Sequence, residues 1–390
     1  MRVKKSIGKM LAAAMLLCAF NSPHAQPNDT LINYVVNRVA AQQVTNDDFF
    51  ITGIFPSYIS RRQRFSTKKK DNNIFYNGLI AYTLRNIKPA LNNAGQQITG
   101  NINNRELPLY RQFKNSKGRN TYNFWRTDSA YTFPYTWWIH LLRGNTALPD
   151  DMDDTVLGLL AQNSDSTVAA QLHALMQWYT NTDTANKKSI EKKYRGYKAY
   201  STWFGKKFPI VFDVCVLSNI LSFVQEYNLP WAAADSASLQ VITAAVANND
   251  IITRPRFISP YYGRTSIILY HLARLMHIKK IPALENIKPR LRDEALQVFN
   301  QTGNVLEKII LASALIKWGY QPPAIILPLQ NEVAKQIEQN PMPFFIGNIP
   351  SYFSNGLKKF FVNNNIGLFY HYCPAYNDAL LLEYLVLKNN

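Results

Sequence analysis

The sequence predicts an all-α fold, namely a single α/α toroid, which is a barrel of helical hairpins with an inner and an outer ring. Segments that are apolar on nearly every side alternate with amphipathic segments at a spacing of roughly 50 residues, as in helical-hairpin arrays. A superhelical solenoid would show the same alternation. We favour the closed ring because aromatic residues, 13% of the 390 residues, collect at the starts of the apolar segments. No shift in composition marks a second domain, so we expect one domain over residues 27–390.

Residues 1–25 have the features of a secretory signal peptide. Basic residues precede a short apolar core at 10–20, and small residues follow up to Ala25. The apolar core is too short to span a bilayer. We therefore expect a periplasmic or secreted protein in an oxidising compartment.

The alternation of segments defines two sets of predicted helices. The apolar helices, which we expect to be buried, are 151–161, 212–225, 264–276, 305–318 and 376–387. The amphipathic helices, which we expect to face water, are 168–179, 236–247, 290–299 and 324–339. Two further helices are predicted nearer the N-terminus, at 30–43 and 72–87.

Three segments lack a clear helical period. Residues 47–60 are apolar but interrupted by Gly53 and Pro56, which predicts an irregular segment over the core. Residues 93–120 are rich in Asn and Gly, which predicts a long loop or a short hairpin. Residues 122–142 are strongly aromatic.

Four aspartates, at positions 150, 151, 153 and 154, come just before an apolar helical run, and we call residues 150–154 the acidic turn. Pro149 suits the first turn of a helix, and the helix dipole favours negative charge there. Because four carboxylates this close repel each other, burial would leave at least one of them protonated. The alternative interpretation is simple helix capping or a structural cation site.

Asp151-Met152-Asp153-Asp154-Thr155 resembles the DxDDT motif of class II terpene cyclases, and the VLGLLA that follows also looks like that family. The resemblance implies an α/α barrel and an aromatic-lined cavity for a hydrophobic polyene. It also implies that Asp153 donates a proton to an alkene or epoxide, that Asp151 and Asp154 tune it, and that no cofactor is needed. The chain departs from the family in its shorter length, its missing Gln–Trp repeats and its export signal.

Several aromatic residues near the acidic turn are candidates to shield carbocations through their π faces: Trp125, Tyr131, Trp137 and Trp138. Tyr261, Tyr262 and Arg264 precede the helix predicted at 264–276, so they could face the mouth of the cavity. The alternatives are that the aromatic residues fill a large helical core and that Ser259–Arg264 is an ordinary turn.

Two metal sites remain as alternatives. Asp150, Asp151 and Asp154 also match the DDxxD motif of class I prenyl synthases, which holds Mg²⁺ against a diphosphate. Asp213, Cys215 and His371 are similar to the zinc ligands of protein prenyltransferase β-subunits, which use a DxC pair and a later His in a YHxC setting. Cys215 and Cys373 could instead form a disulfide or be two buried thiols.

The chain is basic, with a net charge of +18 that concentrates in two clusters, residues 61–70 and 187–198. These clusters are either ordinary solvated faces or surfaces for anionic lipid head groups or acidic glycans. No RNA- or DNA-binding motif accompanies them, and export argues against a nucleic-acid partner.

The function favoured by the sequence is an exported, terpenoid-cyclase-like enzyme. The alternatives are a carbohydrate-active α/α-toroid enzyme, either a glycan hydrolase or a lyase, and a non-catalytic toroid that binds a partner. A deep, dry, aromatic cavity with the aspartates at its top would favour the cyclase. An open groove with two carboxylates about 5–10 Å apart across it would favour glycan hydrolysis, and a plugged centre would favour the scaffold, since the fold alone does not decide function.

Overall fold

The computed structural model describes five segments of the chain: residues 27–63, 67–128, 148–205, 208–328 and 330–389. These segments form a mainly helical fold with one small antiparallel sheet. The predicted signal peptide lies outside them, as do Tyr131, Trp137 and Trp138 among the candidate substrate-binding residues.

Most of the longer helices agree with the predicted ones, whereas those at 93–106 and 355–363 were not predicted. In chain order they are α1 (Pro27–Ala41), α2 (Phe75–Ile87), α3 (Asn93–Glu106), α4 (Met152–Ala161), α5 (Ser166–Met176), α6 (Val214–Glu226), α7 (Ala233–Ala247), α8 (Thr265–Ile278), α9 (Lys288–Gln301), α10 (Val305–Lys317), α11 (Gln330–Gln339), α12 (Asn355–Asn363) and α13 (Pro374–Asn389). Among the described residues, none of these helices is both long and apolar enough to cross a membrane.

The apolar helices contact one another in a closed cycle. Helix α2 packs against α4, α4 against α6, α6 against α8, α8 against α10, α10 against α13, and α13 against α2 again. These helices are buried on nearly every side, because an apolar surface all round a helix has to be removed from water. The amphipathic helices α7, α9 and α1 pack against α6, α10 and α13 and keep exposed residues.

A four-stranded sheet makes the all-α prediction wrong in this respect. Its strands are β1 (Ser57–Ser60), β2 (Lys69–Asp71), β3 (Phe345–Asn348) and β4 (Leu368–Tyr372), in the order β2-β1-β4-β3 with antiparallel neighbours. Strand β1 therefore lies within the segment that we predicted to be irregular. The strands have only three to five residues, which is too short for the alternation of apolar and polar residues to be recognised. In addition, β1 pairs with a strand about 310 positions later in the chain.

The prediction of a loop or hairpin over residues 93–120 was also wrong, because helix α3 occupies its first half. Asn92 begins this helix, and its side-chain oxygen accepts a hydrogen bond from the Gly95 backbone N–H at 2.9 Å. The helix buries few residues and packs against α1 and α2. Its stability therefore comes from tertiary contacts that outweigh the weak helix propensity of Asn and Gly.

Candidate functional site

The acidic turn caps the buried helix α4. Asp151 is the N-cap residue, and its Oδ1 accepts a hydrogen bond from the Asp154 backbone N–H at 2.7 Å. Met152 N–H donates to the Thr202 carbonyl at 2.8 Å, which ties the turn to a neighbouring loop. The four aspartates are each 3–5% exposed, so the turn is inside the protein.

A cavity that encloses about 70 Å³ adjoins this turn. Asp151, Asp153 and Asp154 form one part of its wall. Aromatic side chains supply much of the rest: Phe75, Phe124, Trp125, Trp203, Tyr261 and Phe345. Strand β3, the turn that follows it and β4 contribute to the lining, so the unpredicted sheet helps to enclose the site.

Asp153 is held by hydrogen bonds from two neighbouring elements. The Asn219 side-chain N–H of α6 donates to Oδ1 at 2.7 Å, and the Tyr262 hydroxyl donates to Oδ2 at 2.5 Å. Burial raises the pKa of Asp153 to about 6, although these two hydrogen bonds and the charge of Arg274 oppose the rise. Arg274 itself reaches the Asn219 side-chain oxygen at 3.4 Å.

The carboxyl group of Asp154 is less well hydrogen-bonded than that of Asp153. Neither of its carboxyl oxygens has a hydrogen-bond donor among the described residues. Burial and the neighbouring charges of Asp151 and Asp153 raise the pKa of Asp154 well above its usual value. Burial also raises the pKa of Asp151 to about 7, although hydrogen bonds from Asp154 oppose the rise. A neutral Asp154 can donate its proton to Asp151, so the pair shares one proton at neutral pH.

Asp150 points away from this cavity. Its Oδ2 accepts hydrogen bonds from Asn115 and Thr121, both at 2.5 Å, and from Arg119 at 3.1 Å. The DDxxD arrangement of Asp150, Asp151 and Asp154 around one diphosphate-bound magnesium ion is therefore not formed.

The three candidate zinc ligands are not assembled into a metal site. Asp213 caps α6, and its carboxylate accepts from the Ser259 hydroxyl at 2.6 Å and from the Tyr261 backbone N–H at 2.8 Å. His371 lies on β4, beside Asp71. Within the described segments, no group of three or more His, Cys, Asp or Glu side chains could hold a metal ion. Cys215 and Cys373 are both free and buried, which agrees with the alternative of two buried thiols and not with a disulfide.

The residues predicted to face the cavity mouth have different positions. Tyr261 lines the cavity, and its hydroxyl accepts a hydrogen bond from the Trp203 indole at 2.9 Å. Tyr262 contacts Asp153, as described above. Arg264 does not line the cavity; it lies 3.8 Å from Glu307 and donates to Gln63 at 3.3 Å.

His371 of β4 completes the wall of the cavity, and Asp71 lies behind it. His371 Nδ1 lies 3.6 Å from Asp71 Oδ2, and the Trp125 indole N–H donates to Asp71 Oδ1 at 2.9 Å. Burial raises the pKa of Asp71, but the interactions with His371, Asn73 and Trp125 outweigh it and leave the pKa below its usual value. The signal for His371 was present in its motif, whereas nothing in the sequence pointed to Asp71.

No family model, no curated protein and no solved structure matches this chain.

Proposed function

We propose that this protein is an enzyme of the terpenoid-cyclase type that protonates a double bond of a hydrophobic polyene. The observation that carries the proposal is a buried carboxyl group, Asp153, with a pKa raised to about 6, in the wall of an aromatic cavity. The cavity encloses only about 70 Å³, below the roughly 300–1,000 Å³ of small-molecule sites, so a polyene would have to displace side chains of the wall as it enters. Such a cavity favours an apolar substrate over a charged one.

Asp153 is the best placed proton donor of the three aspartates at the wall. A general acid works best when its pKa is near the working pH, and about 6 meets that condition. After the transfer, the new carboxylate is stabilised by hydrogen bonds from Asn219 and Tyr262. Asp154 lacks such donors, so it would hold its proton too tightly to give it up readily.

Asp151 and Asp154 have a supporting role in this proposal. Because they share a proton, they add less negative charge beside Asp153 than two carboxylates would. Less negative charge nearby makes Asp153 a stronger acid than it would be next to two ionised groups.

The aromatic wall supports the stabilisation of a carbocation. Phe124 stacks on Phe345 with ring centroids 5.3 Å apart, and Tyr261 is nearly parallel to Phe345 at 6.2 Å. The faces of such rings carry negative potential and attract cations. A wall of this kind also keeps out water that would end the reaction early.

The closed cycle of contacts from α2 to α13 supports an α/α toroid as the architecture. The starts of α4, α6 and α8 come together at the site, through Asp153, Asp213 and Tyr262. The cavity lies at these helix starts.

The carbohydrate alternative is less well supported. Glycan hydrolysis requires two carboxyl groups on opposite sides of the substrate. Among the described residues that line this cavity, the carboxyl groups all belong to the acidic turn and so lie on one side. The scaffold alternative predicts a plugged centre; the cavity is small, but three buried aspartates at its wall have no role in a plugged scaffold.

We also propose peripheral contact with an anionic membrane, where hydrophobic substrates reside. Four of the six basic residues in the cluster 187–198 are exposed, and the cluster lies beside α12, since Asn355 donates to the Ile190 carbonyl at 2.8 Å. Helix α12 exposes Leu357 and Phe360. Basic side chains next to exposed apolar ones are the combination that binds the surface of anionic bilayers.

The test uses the purified protein with an extract of membrane lipids, and with squalene as a defined polyene, in D₂O. Proton transfer from Asp153, which exchanges with the solvent, should give products that carry one deuterium. Asp153→Asn should lower this incorporation at least ~100-fold, the usual contribution of a general acid, with an unchanged circular dichroism spectrum. Asp165→Asn, at the exposed N-cap of α5, is the matched control and should keep full activity. Undiminished incorporation by Asp153→Asn would remove the assignment.

A further inference from the structure

We propose that His371, oriented by Asp71, is the base that ends the reaction by removing a proton from the carbocation. This inference rests on the proposed function, and it assigns a second catalytic group on a different part of the cavity wall. The acid comes from helix α4, whereas the base comes from the sheet.

His371 is placed by the middle of the sheet. It lies opposite Ile59 of β1 and opposite Phe345 of β3, so the backbone of β4 is held on both sides. The imidazole is fully buried and lines the cavity. A ring fixed in this way has a defined direction, as a proton acceptor for a bound substrate needs.

Nε2 of His371 is buried and has no hydrogen-bond partner among the described residues, whereas Nδ1 has the Asp71 carboxylate 3.6 Å away. A buried polar atom left unpaired is destabilising, and such groups are uncommon in folded proteins. An unpaired nitrogen at a cavity wall is available to a ligand.

Asp71 determines which nitrogen is available. Asp71 Oδ2 faces Nδ1 of His371 at 3.6 Å, and the carboxylate is itself held by the Asn73 side chain at 2.7 Å. Since Nδ1 faces the carboxylate, Nε2 lies on the opposite edge of the ring. A carboxylate in this position stabilises the imidazolium that forms when Nε2 takes up a proton. Asp71 is thus a positioning residue.

Two phenylalanines beside the His371 imidazole make its surroundings favourable for a carbocation. Phe124 and Phe345 contact the imidazole edge to face, with centroids 5.4 and 5.2 Å away. Both phenylalanines also line the cavity, so a carbocation bound there would lie beside aromatic rings next to the base. The same rings exclude water from Nε2, so that loss of a proton is favoured over addition of water.

The protons balance over one cycle. Asp153 gives its proton to a carbon of the double bond and becomes a carboxylate, while the polyene becomes a carbocation. His371 Nε2 then takes a proton from a carbon next to the cationic centre, and the electron pair of that C–H bond forms a new double bond. After the product leaves, the imidazolium returns its proton to the carboxylate through water entering the cavity, so the product is an isomer of the substrate.

The experiment compares the products of wild type, His371→Gln and His371→Ala from squalene and membrane lipid extract, by gas chromatography and mass spectrometry. We expect both variants to consume substrate within about tenfold of the wild-type rate, because protonation by Asp153 is retained. The products should shift from an isomeric alkene to alcohols, since water then ends the reaction. Added imidazole should restore the alkene with His371→Ala, where it can occupy the vacated space, and not with His371→Gln.

Two further variants sharpen the result. Asp71→Asn should shift the products in the same direction to a smaller extent, and Asp71→Glu should restore part of the alkene. His277→Gln, at the exposed end of α8 remote from Tyr262, is the matched control and should keep the wild-type products. If His371→Ala does not fold, His371→Gln decides the question.

The outcomes separate the two proposals. Wild-type products from both His371 variants, with active wild type, would overturn this inference alone. A wild-type protein that consumes no polyene would overturn the proposed function and the inference with it. Loss of all substrate consumption in folded His371 variants would overturn the role of terminating base, because it would place His371 in the first proton transfer.

Discussion

At the scale of single residues, neighbouring aspartates acquire different chemistry from their contacts. Asp150 is paired with Arg119 at 3.1 Å and lies outside the cavity. Asp153 has two hydrogen-bond donors and a pKa raised to about 6, whereas Asp154 has no donor among the described residues and a pKa raised much further. The same side chain can thus hold a charge, donate a proton or retain one, depending on its surroundings.

The Tyr262 hydroxyl gives a direct test of this tuning. Tyr262→Phe removes a hydrogen bond to the Asp153 carboxylate, so the pKa of Asp153 should rise by ~1 unit, since hydrogen bonds to charged groups contribute about 1.5–3 kcal/mol. In wild type, the protonated form of Asp153 predominates below about pH 6 and is lost above it. The decline in deuterium incorporation should therefore move to higher pH in the variant. The maximal rate should also fall, because Asp153 is then a weaker acid.

The control for this measurement is Tyr76→Phe. Tyr76 is a fully buried tyrosine whose hydroxyl has no hydrogen-bond partner in the described segments. Tyr76→Phe should therefore leave the pH dependence of the rate unchanged between about pH 4.5 and 8.5. This range brackets the pKa of Asp153, about 6. A wild-type profile for Tyr262→Phe would show that this hydroxyl does not set the acidity of the site.

At the scale of elements, the position of the acidic turn depends on how closely α4 approaches α2. Gly78 of α2 faces Leu157 of α4, and a methyl group added at Gly78 would lie 3.3 Å from the Leu157 Cβ. That contact is tighter than normal packing, and Cβ is fixed to the backbone, so the helices would have to separate. The close packing of α4 against α2 therefore explains why a glycine, Gly78, occurs inside helix α2.

Gly78→Ala should lower the free energy of unfolding by ~1–2 kcal/mol, the typical effect of overpacking. Gly100→Ala is the matched control, because its nearest neighbour is only the flexible Lys88 Nζ at 3.6 Å. Gly100→Ala should raise the free energy of unfolding by about 0.5–1 kcal/mol, through helix propensity alone. Urea unfolding followed by circular dichroism measures both changes, and equal stabilisation of the two variants would show that α2 and α4 are not closely packed.

At the scale of the whole molecule, the cycle of buried helices and the sheet have separate tasks. The helices present the acidic turn, Asn219 and Tyr262 at one end of the cycle. The sheet covers that end and brings Phe345 and His371 to the cavity. The site therefore exists only when residues from both parts of the chain have assembled.

The proposed membrane contact is a property of the whole surface. Sedimentation should show the protein bound to vesicles containing phosphatidylserine, with binding that weakens strongly as salt is raised, since exposed charges are screened. Lys188→Glu combined with Lys192→Glu should weaken binding about tenfold or more, at ~1 kcal/mol for each basic residue. Lys117→Glu combined with Lys280→Glu, two exposed sites outside both clusters, should have a smaller effect. Equal effects of the two pairs would show that net charge alone governs the binding.

The sequence by itself determined those features that depend on neighbours along the chain. The periodicity of apolar residues placed the buried helices within two or three residues, and Pro149 with the aspartates predicted the capped start of α4. Tertiary structure alone decided that the site contains Asn219, Asp71 and His371, and that β1 pairs with β4. The physical reason is the distance along the sequence over which the interactions act, because helix periodicity and capping involve residues only a few positions apart. The separation of Asp71 from His371 is instead set by how segments 300 positions apart pack against one another.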